Sequence, residues 1–280
     1  MNIKITSDST CDLSPELLER YRITLAPLNV IMDGKVYQDG VDIQQTDIFA
    51  HVERGGALCS TAAVNTETYR TMFGELSAKY DAVIHINIGS LFSACYQNAA
   101  IAASDYANVY VVDSQNLSTG QGHLVIEAAQ LAAKGMAPLE ICSTLNAMRN
   151  RVQASFIIDR LDYMQKGGRC SSVMALGGKL LKIKPCIAVV DGTMKMVEKY
   201  RGNFDKCVEK YVKESLKDRK DLRLDRIFIT HTCPDPEPAK IARETIRKYT
   251  DFVEIHETRA GCTVSCHCGP NTLGVLFITK

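Results

Sequence analysis

The segment His85–Ile101, HINIGSLFSACYQNAAI, places the strongest limit on what this chain can fold into. An apolar strand pattern stops at Gly89, and small, hydroxyl-bearing residues lead straight into an alanine-rich helical stretch. A strand feeding a helix in this way is the building unit of a parallel α/β sheet. The junction leaves unpaired backbone N–H groups and the positive end of a helix dipole above the sheet edge, where an anionic or strongly polar group is favoured. Ser93 adds a hydroxyl donor, while Ala94 and Cys95 are small enough to let a ligand approach the backbone. Gly89–Asn98 holds no carboxylate and no lysine, so the junction suits holding a ligand better than reacting with it.

The same alternation runs through the first half of the chain. Ile3–Thr6, Ala82–Ile88 and Val109–Asp113 read as strands, and Pro15–Tyr21, Asn65–Tyr80, Ser93–Tyr106, Gly122–Lys134 and Pro138–Asn150 as helices. Ser14-Pro15 is a good helix start, with serine at the N-cap and proline in the first turn. Leu25–Val36, with Asp33-Gly34 as its tight turn, reads as a β-hairpin. The second half changes character. Ser155–Asp159, Lys184–Val190, Met194–Lys199, Arg226–Thr230, Phe252–Glu257 and Thr272–Thr279 are expected strands, with a second Asp-Gly hairpin at Asp191-Gly192, and Asn203–Arg219 and Glu237–Tyr249 are amphipathic helices. Hairpins combined with helices predict a mixed sheet covered mainly on one face. At 280 residues the chain exceeds what one compact core usually holds, so two domains are expected, 1–150 and 151–280, packed directly on each other with a cleft between them.

Charge removes whole classes of function. With 33 basic and 32 acidic residues there is no electrostatic footprint for nucleic acid or an acidic membrane surface. No apolar run approaches the ~18 residues of a membrane span, and the start MNIKITSD has no signal-peptide pattern, so a cytoplasmic protein without stable membrane insertion is expected. The eleven cysteines fall mostly within apolar patterns and are read as free thiols acting as small hydrophobes.

Constellations that could carry chemistry are weak when taken singly. Gly120-Gln121-Gly122 opens like a dinucleotide loop, but Val125 occupies the third glycine position. Gly178-Lys179 resembles the end of a triphosphate loop, but Leu180 replaces the magnesium-binding hydroxyl and Val173 the leading glycine. Cys262, Cys266, His267 and Cys268 offer zinc-type ligands, yet their spacing is too tight and no second pair matches them, so no metal site is expected. The bland reading of His267 is a hydrogen-bonding residue in a glycine-rich turn before the last strand. A serine hydrolase built on Ser93 and His267 lacks the flanking glycines of a nucleophile elbow, since Leu91 and Cys95 stand there. Thr61 lies in a Ser/Thr-rich loop before a helix, and Lys166-Gly167-Gly168-Arg169 reads as a helix end followed by a turn.

The order of these segments says more than any one of them. The chain shows Ser7-Asp8-Ser9-Thr10-Cys11-Asp12-Leu13, the Thr61 loop, Ser93 before Tyr96-Gln97-Asn98-Ala99, Val112-Asp113-Ser114, Leu161-Asp162-Tyr163-Met164 with Lys166-Gly167-Gly168-Arg169, Ile183-Lys184-Pro185, and His267-Cys268-Gly269-Pro270. From end to end this resembles the DegV family of bacterial fatty-acid-binding proteins. The resemblance implies two α/β domains: an N-terminal three-layer α/β/α domain with a mainly parallel sheet, and a C-terminal α/β domain with a mixed sheet. They would enclose one long-chain fatty acid such as palmitate, stearate or oleate, with no cofactor. It also implies a non-catalytic carrier that presents the carboxylate to a fatty acid kinase, the ATP-binding partner, which forms an acyl phosphate for phospholipid synthesis. By motif position, Thr61 and Ser93 resemble the hydroxyl pair that holds the carboxylate and His267 the imidazole beside it. Arg169 and Arg201 resemble basic residues near the head group or the kinase-facing surface.

Two hydroxyls and a helix N-terminus can satisfy a carboxylate without a fixed cation, each hydrogen bond to the charged group contributing about 1.5–3 kcal/mol. The chain departs from the family pattern at Ala62-Ala63-Val64, where Ser-Gln-Pro is usual, at Ala94-Cys95, where Gly-Thr is usual, and at Asn271 in place of a second glycine. These changes thin the polar shell. Two other readings stand beside the carrier: an acyl hydrolase or transferase using Ser93 and His267, and a redox- or metal-responsive regulator built on Cys262, Cys266 and Cys268.

Overall fold

The computed structural model describes residues 1–174 and 183–280. Gly178-Lys179 and Leu180 lie outside the described residues. The first layer system is a four-stranded, wholly parallel sheet of β1 (Ile3–Asp8), β2 (Thr24–Ala26), β6 (Ala82–Asn87) and β7 (Val109–Asp113), in the order β2-β1-β6-β7. Every residue of the central strand β6 is buried, as a parallel strand covered on both faces requires. Val83 faces a core with Tyr69, Phe73, Ala99 and Ala102, from α3 (Thr66–Ser77) and α4 (Cys95–Ala103). Ile84 and Ile86 face the opposite core with Leu17 of α1 (Pro15–Arg20), Leu124 of α5 (Ser118–Ala133) and Leu145 of α6 (Pro138–Met148). Ser14 caps α1 by accepting a hydrogen bond from the Leu17 N–H, with Pro15 in the first turn.

A small antiparallel sheet of β3 (Asn29–Met32), β4 (Lys35–Gln38) and β5 (Ser60–Ala62) stands beside this core, with α2 (Gln45–Glu53) between its second and third strands. Asp33 and Gly34 both take positive φ, 50° and 75°, the geometry that a two-residue hairpin turn demands. The hairpin is shorter than the expected Leu25–Val36 at its first arm. Leu25 pairs in parallel with Ser7 of β1, and the chain leaves for the small sheet only after Pro27.

The second half forms a six-stranded mixed sheet in the order β10-β9-β8-β13-β11-β12, from β8 (Val152–Ile158), β9 (Ile183–Val190), β10 (Thr193–Arg201), β11 (Leu222–His231), β12 (Glu254–Arg259) and β13 (Thr272–Thr279). All its pairings are antiparallel except β11 with β12. Three short helices, α7 (Leu161–Gly167), α8 (Ser171–Met174) and α11 (Cys262–Cys268), accompany two longer ones, α9 (Phe204–Leu216) and α10 (Glu237–Tyr249). Contrary to the sequence expectation, both faces of this sheet are covered. Ile227, Ile229 and Val275 pack under α9 and α10, while Ala154, Phe228 and Leu276 pack against α5, and all eight residues of β13 are buried.

Helix α5 thus belongs to both sheets. It starts four residues before the expected Gly122, because Ser118–Gln121 are helical in spite of Gly120. Its polar side chains are satisfied across the two sheets: Gln121 Nε2 donates to Ser7 Oγ at 2.9 Å, Thr119 bonds Thr230 at 2.6 Å, and His123 Nε2 lies 2.9 Å from the Leu276 carbonyl oxygen. Gly120 and Gly122 serve packing here, not phosphate binding. A Cβ on Gly122 would sit 2.8 Å from the Cys11 carbonyl oxygen and from Leu13 Cδ2. A Gly122→Ala variant should therefore be destabilised by about 1–3 kcal/mol through overpacking, despite the better helix propensity of alanine. Urea unfolding checks this, and a gain in stability would show that the helix–backbone approach is looser than described.

Candidate functional site

The site is built where the small sheet, the β6–α4 junction and α11 meet the mixed sheet. A cavity with about 580 Å³ of free space, its open mouth included, lies between Thr61 of β5, Phe92 and Ser93 before α4, Leu117 before α5, Met164 of α7, Met194 of β10 and His267 of α11. Among the described residues no acidic side chain lines it. It adjoins a second, smaller space of about 370 Å³, and Leu117, Val264 and Cys268 line both. That second space runs against the inner face of the mixed sheet at Ala154, Phe156 and Leu276.

Thr61 is the middle residue of β5, opposite Val30 of β3. Its Oγ1 lies 2.8 Å from His267 Nε2. His267 is in the last turn of α11, a helix where a glycine-rich turn was expected. The other ring nitrogen, Nδ1, is buried without a hydrogen-bond partner among the described residues and packs against Gly167, where a Cβ would come within 2.3 Å of it. An orphaned N–H is the costlier of the two unpaired states, so we assign the imidazole proton to Nε2. Nε2 then donates to Thr61 Oγ1, and the Thr61 hydroxyl proton is left to donate into the cavity. Burial, with Arg169 nearby as a lesser cause, holds the His267 pKa down to about 4, so the ring is neutral at neutral pH.

Ser93 lies just before the first turn of α4. Its Oγ accepts from the Cys95 N–H at 3.3 Å and is 3.2 Å from Cys95 Sγ, a weak acceptor. Neither ring nitrogen of His267 is hydrogen-bonded to Ser93, so the serine has no general base at hand among the described residues. Ser93 also borders a surface groove along α4 that includes Tyr96 and Gln97, so this end of the cavity meets solvent. Arg169 is exposed at the mouth, with Nη1 donating to the Gly167 carbonyl oxygen at 2.7 Å. Arg201 ends β10, is exposed, and does not line the cavity.

The helix that carries His267 is tied to the N-terminal half by two buried carboxyl groups. Asp39 accepts from the Cys262 and Thr263 N–H groups at 2.7 and 3.1 Å, and Asp12 from the Gly261 N–H at 2.8 Å. Burial, with Asp39 beside it as a lesser cause, pushes the Asp12 pKa up to about 8. In the sequence Asp12 stands out only as part of the Ser7–Leu13 run and Asp39 not at all, because an aspartate in a loop gives no sign of the distant helix end it will cap. The thiols of the C-terminal run diverge. Cys262 and Cys266 pack with Val30 and Ile43, and Cys268 packs in a different core. All eleven cysteines are unpaired, and all but Cys142 are buried.

Comparison with known proteins gives a consistent result. The model of a family described as uncharacterised proteins of the DegV family matches residues 2–280. A DegV domain-containing protein from Caldanaerobacter subterraneus subsp. tengcongensis is 32% identical over 281 residues, 99% of each chain. Among solved structures, the chain is similar to a DegV family protein from Thermus thermophilus described for its fatty acid binding, with a TM-score of 0.90, 27% identity and full coverage of both chains. It is also similar to a stearic acid-binding protein from Eubacterium ventriosum, with a TM-score of 0.84, 26% identity, and coverage of 99% of this chain and 98% of that one.

The buried neutral imidazole sets a pH dependence. The unfolded chain protonates His267 below its ordinary pKa of 6.5, whereas the folded protein resists until about 4, so stability falls as pH drops through that window. Between pH 7 and pH 5 the unmodified protein should lose about 2 kcal/mol more than a His267→Gln variant, read from urea midpoints. Equal losses would mean that the folded ring takes up its proton as readily as the unfolded one.

Proposed function

Because the chain belongs to the DegV family and its cavity gathers neutral polar groups at one end of an otherwise apolar space, we propose that it binds one long-chain fatty acid there. Thr61 and Ser93 hold the carboxylate and His267 orients the Thr61 hydroxyl. The tail runs past Leu117 and Val264 toward the mixed sheet. The observation that carries this reading is the Thr61–His267 pair, which leaves a hydroxyl proton to donate into a space that no acidic side chain lines among the described residues. Solved structures of similar proteins described as fatty-acid-binding support it. Each buried methylene contributes roughly 0.8 kcal/mol before ordering costs, so the tail supplies most of the affinity and the head group fixes its direction.

The protein acts as a carrier and not as a catalyst. Ser93 has no base to activate it, and a fatty acid kinase supplies the phosphoryl chemistry on the presented carboxylate. The opening of the head-group end beside Ser93 onto the α4 groove supports such presentation, as does the exposed Arg169 at the mouth. Arg201 lies apart from the cavity and serves, on this reading, the surface that meets the kinase. An anchor made of hydroxyls also leaves the carboxylate more reactive than a tight cationic clamp, which would stabilise the ground state as well. The two halves, 1–150 and 151–280, act as the two walls of the binding site.

A Thr61→Val/Ser93→Ala double variant should stay folded and bind palmitate about a hundredfold more weakly, as expected for the loss of two hydrogen bonds to a charged group. Titration calorimetry on delipidated protein measures it. Unchanged affinity would place the carboxylate elsewhere.

A further inference from the structure

The side chain of Thr263 also lines the cavity. It is only 5% exposed, and its Oγ1 is buried with no hydrogen-bond partner among the described residues. A buried hydroxyl without a partner is uncommon. Threonine in a helix usually escapes by donating to the carbonyl three or four residues back. Thr263 is only the second residue of α11, and the carbonyl three back, that of Ala260, already accepts from Gln45 Nε2 and Ser265 Oγ.

Among the described residues, each of the other hydroxyls along the two adjoining spaces has a hydrogen-bond partner. Ser118 donates to Asp12, Thr230 bonds Thr119 and Thr258, Thr232 donates to the Gly269 carbonyl and Thr272 to that of Cys268. Thr61 bonds His267, and Ser93 is placed against Cys95. Valine would fill the volume of Thr263 without the desolvation cost, so the free hydroxyl needs a partner that enters with the ligand.

Thr263 and His267 are four residues apart on one face of α11, about one helical turn or 5.4 Å along the axis. A carboxylate held at Thr61 and Ser93, with His267 behind Thr61, would lead the first carbons of the acyl chain past Thr263, which lines the same cavity. We propose that Thr263 is a ligand-contacting, specificity-determining residue that hydrogen-bonds an oxygen on those carbons, and that the preferred ligand class is a long-chain 2- or 3-hydroxy fatty acid. This rests on the fatty-acid reading of the cavity.

The test is titration of the delipidated full chain with palmitate, 2-hydroxypalmitate and 3-hydroxypalmitate, alongside Thr263→Val and Thr263→Ser variants. One hydroxy acid should bind about tenfold more tightly than palmitate to the unmodified protein. Thr263→Val should abolish that preference while keeping palmitate affinity, and Thr263→Ser should retain the preference. Equal affinity of the unmodified protein for all three acids overturns the inference and leaves the fatty-acid reading standing. A Thr263→Val variant that weakens all three alike also overturns it, by making Thr263 a carboxylate contact. Failure of every acid to bind the unmodified protein overturns both.

Discussion

The capping of α11 by Asp39 and Asp12 is the interaction on which the site depends. A helix of seven residues has no independent stability, and its first amide groups need acceptors wherever it is buried. Here the acceptors come from more than two hundred residues earlier in the chain, from the loop after β4 and the turn after β1. Together with the packing of Cys262 and Cys266 against Val30 and Ile43, they hold α11 where His267 meets Thr61. Burial, with Asp39 close by as a lesser cause, raises the Asp12 pKa to about 8, against the hydrogen bonds from Ser118 and the Gly261 N–H that favour its ionised form.

The cavity itself follows one electrostatic rule. Among the described residues that line it, all but Arg169 are neutral, including an imidazole whose proton affinity is depressed by burial, and Arg169 is exposed at the mouth. A buried cation would carry a large desolvation cost whenever no ligand was bound. Hydroxyls carry much less, and each gains most when it meets a charged oxygen. Helix α5 provides the rigid wall behind this arrangement, because its polar side chains are locked to both sheets.

Much of the architecture was legible in the sequence, and its failures share a physical cause. Glu237–Tyr249 and Thr272–Thr279 were placed at their observed limits because one has a helical apolar stripe and the other a continuous apolar run. Val109–Asp113 was equally clear. The first turn of α5 was lost because Gly120 and Gly122 look like breakers until the neighbouring backbone shows why no side chain fits. Helix α11 was lost because a cysteine-rich run carries no helical periodicity, and its stability comes from Asp39 and Asp12. The two-sided cover of the mixed sheet could not be read either, since α5 reaches it from the other half of the chain. At the site, the ordered motifs brought out Thr61, Ser93, Arg169 and His267, which the structure places around one cavity, and Arg201, which it places outside. Thr263 gave no signal, because a threonine is singled out only by the lack of a partner in the folded protein.

The central claim is that the cavity holds a long-chain fatty acid, and the most direct measurement is mass spectrometry of a denaturing organic extract from natively purified protein. The account predicts a fatty acid in near-equal molar ratio to the chain. A well-folded protein that yields no such acid, and takes up none when palmitate or oleate is supplied, would contradict it.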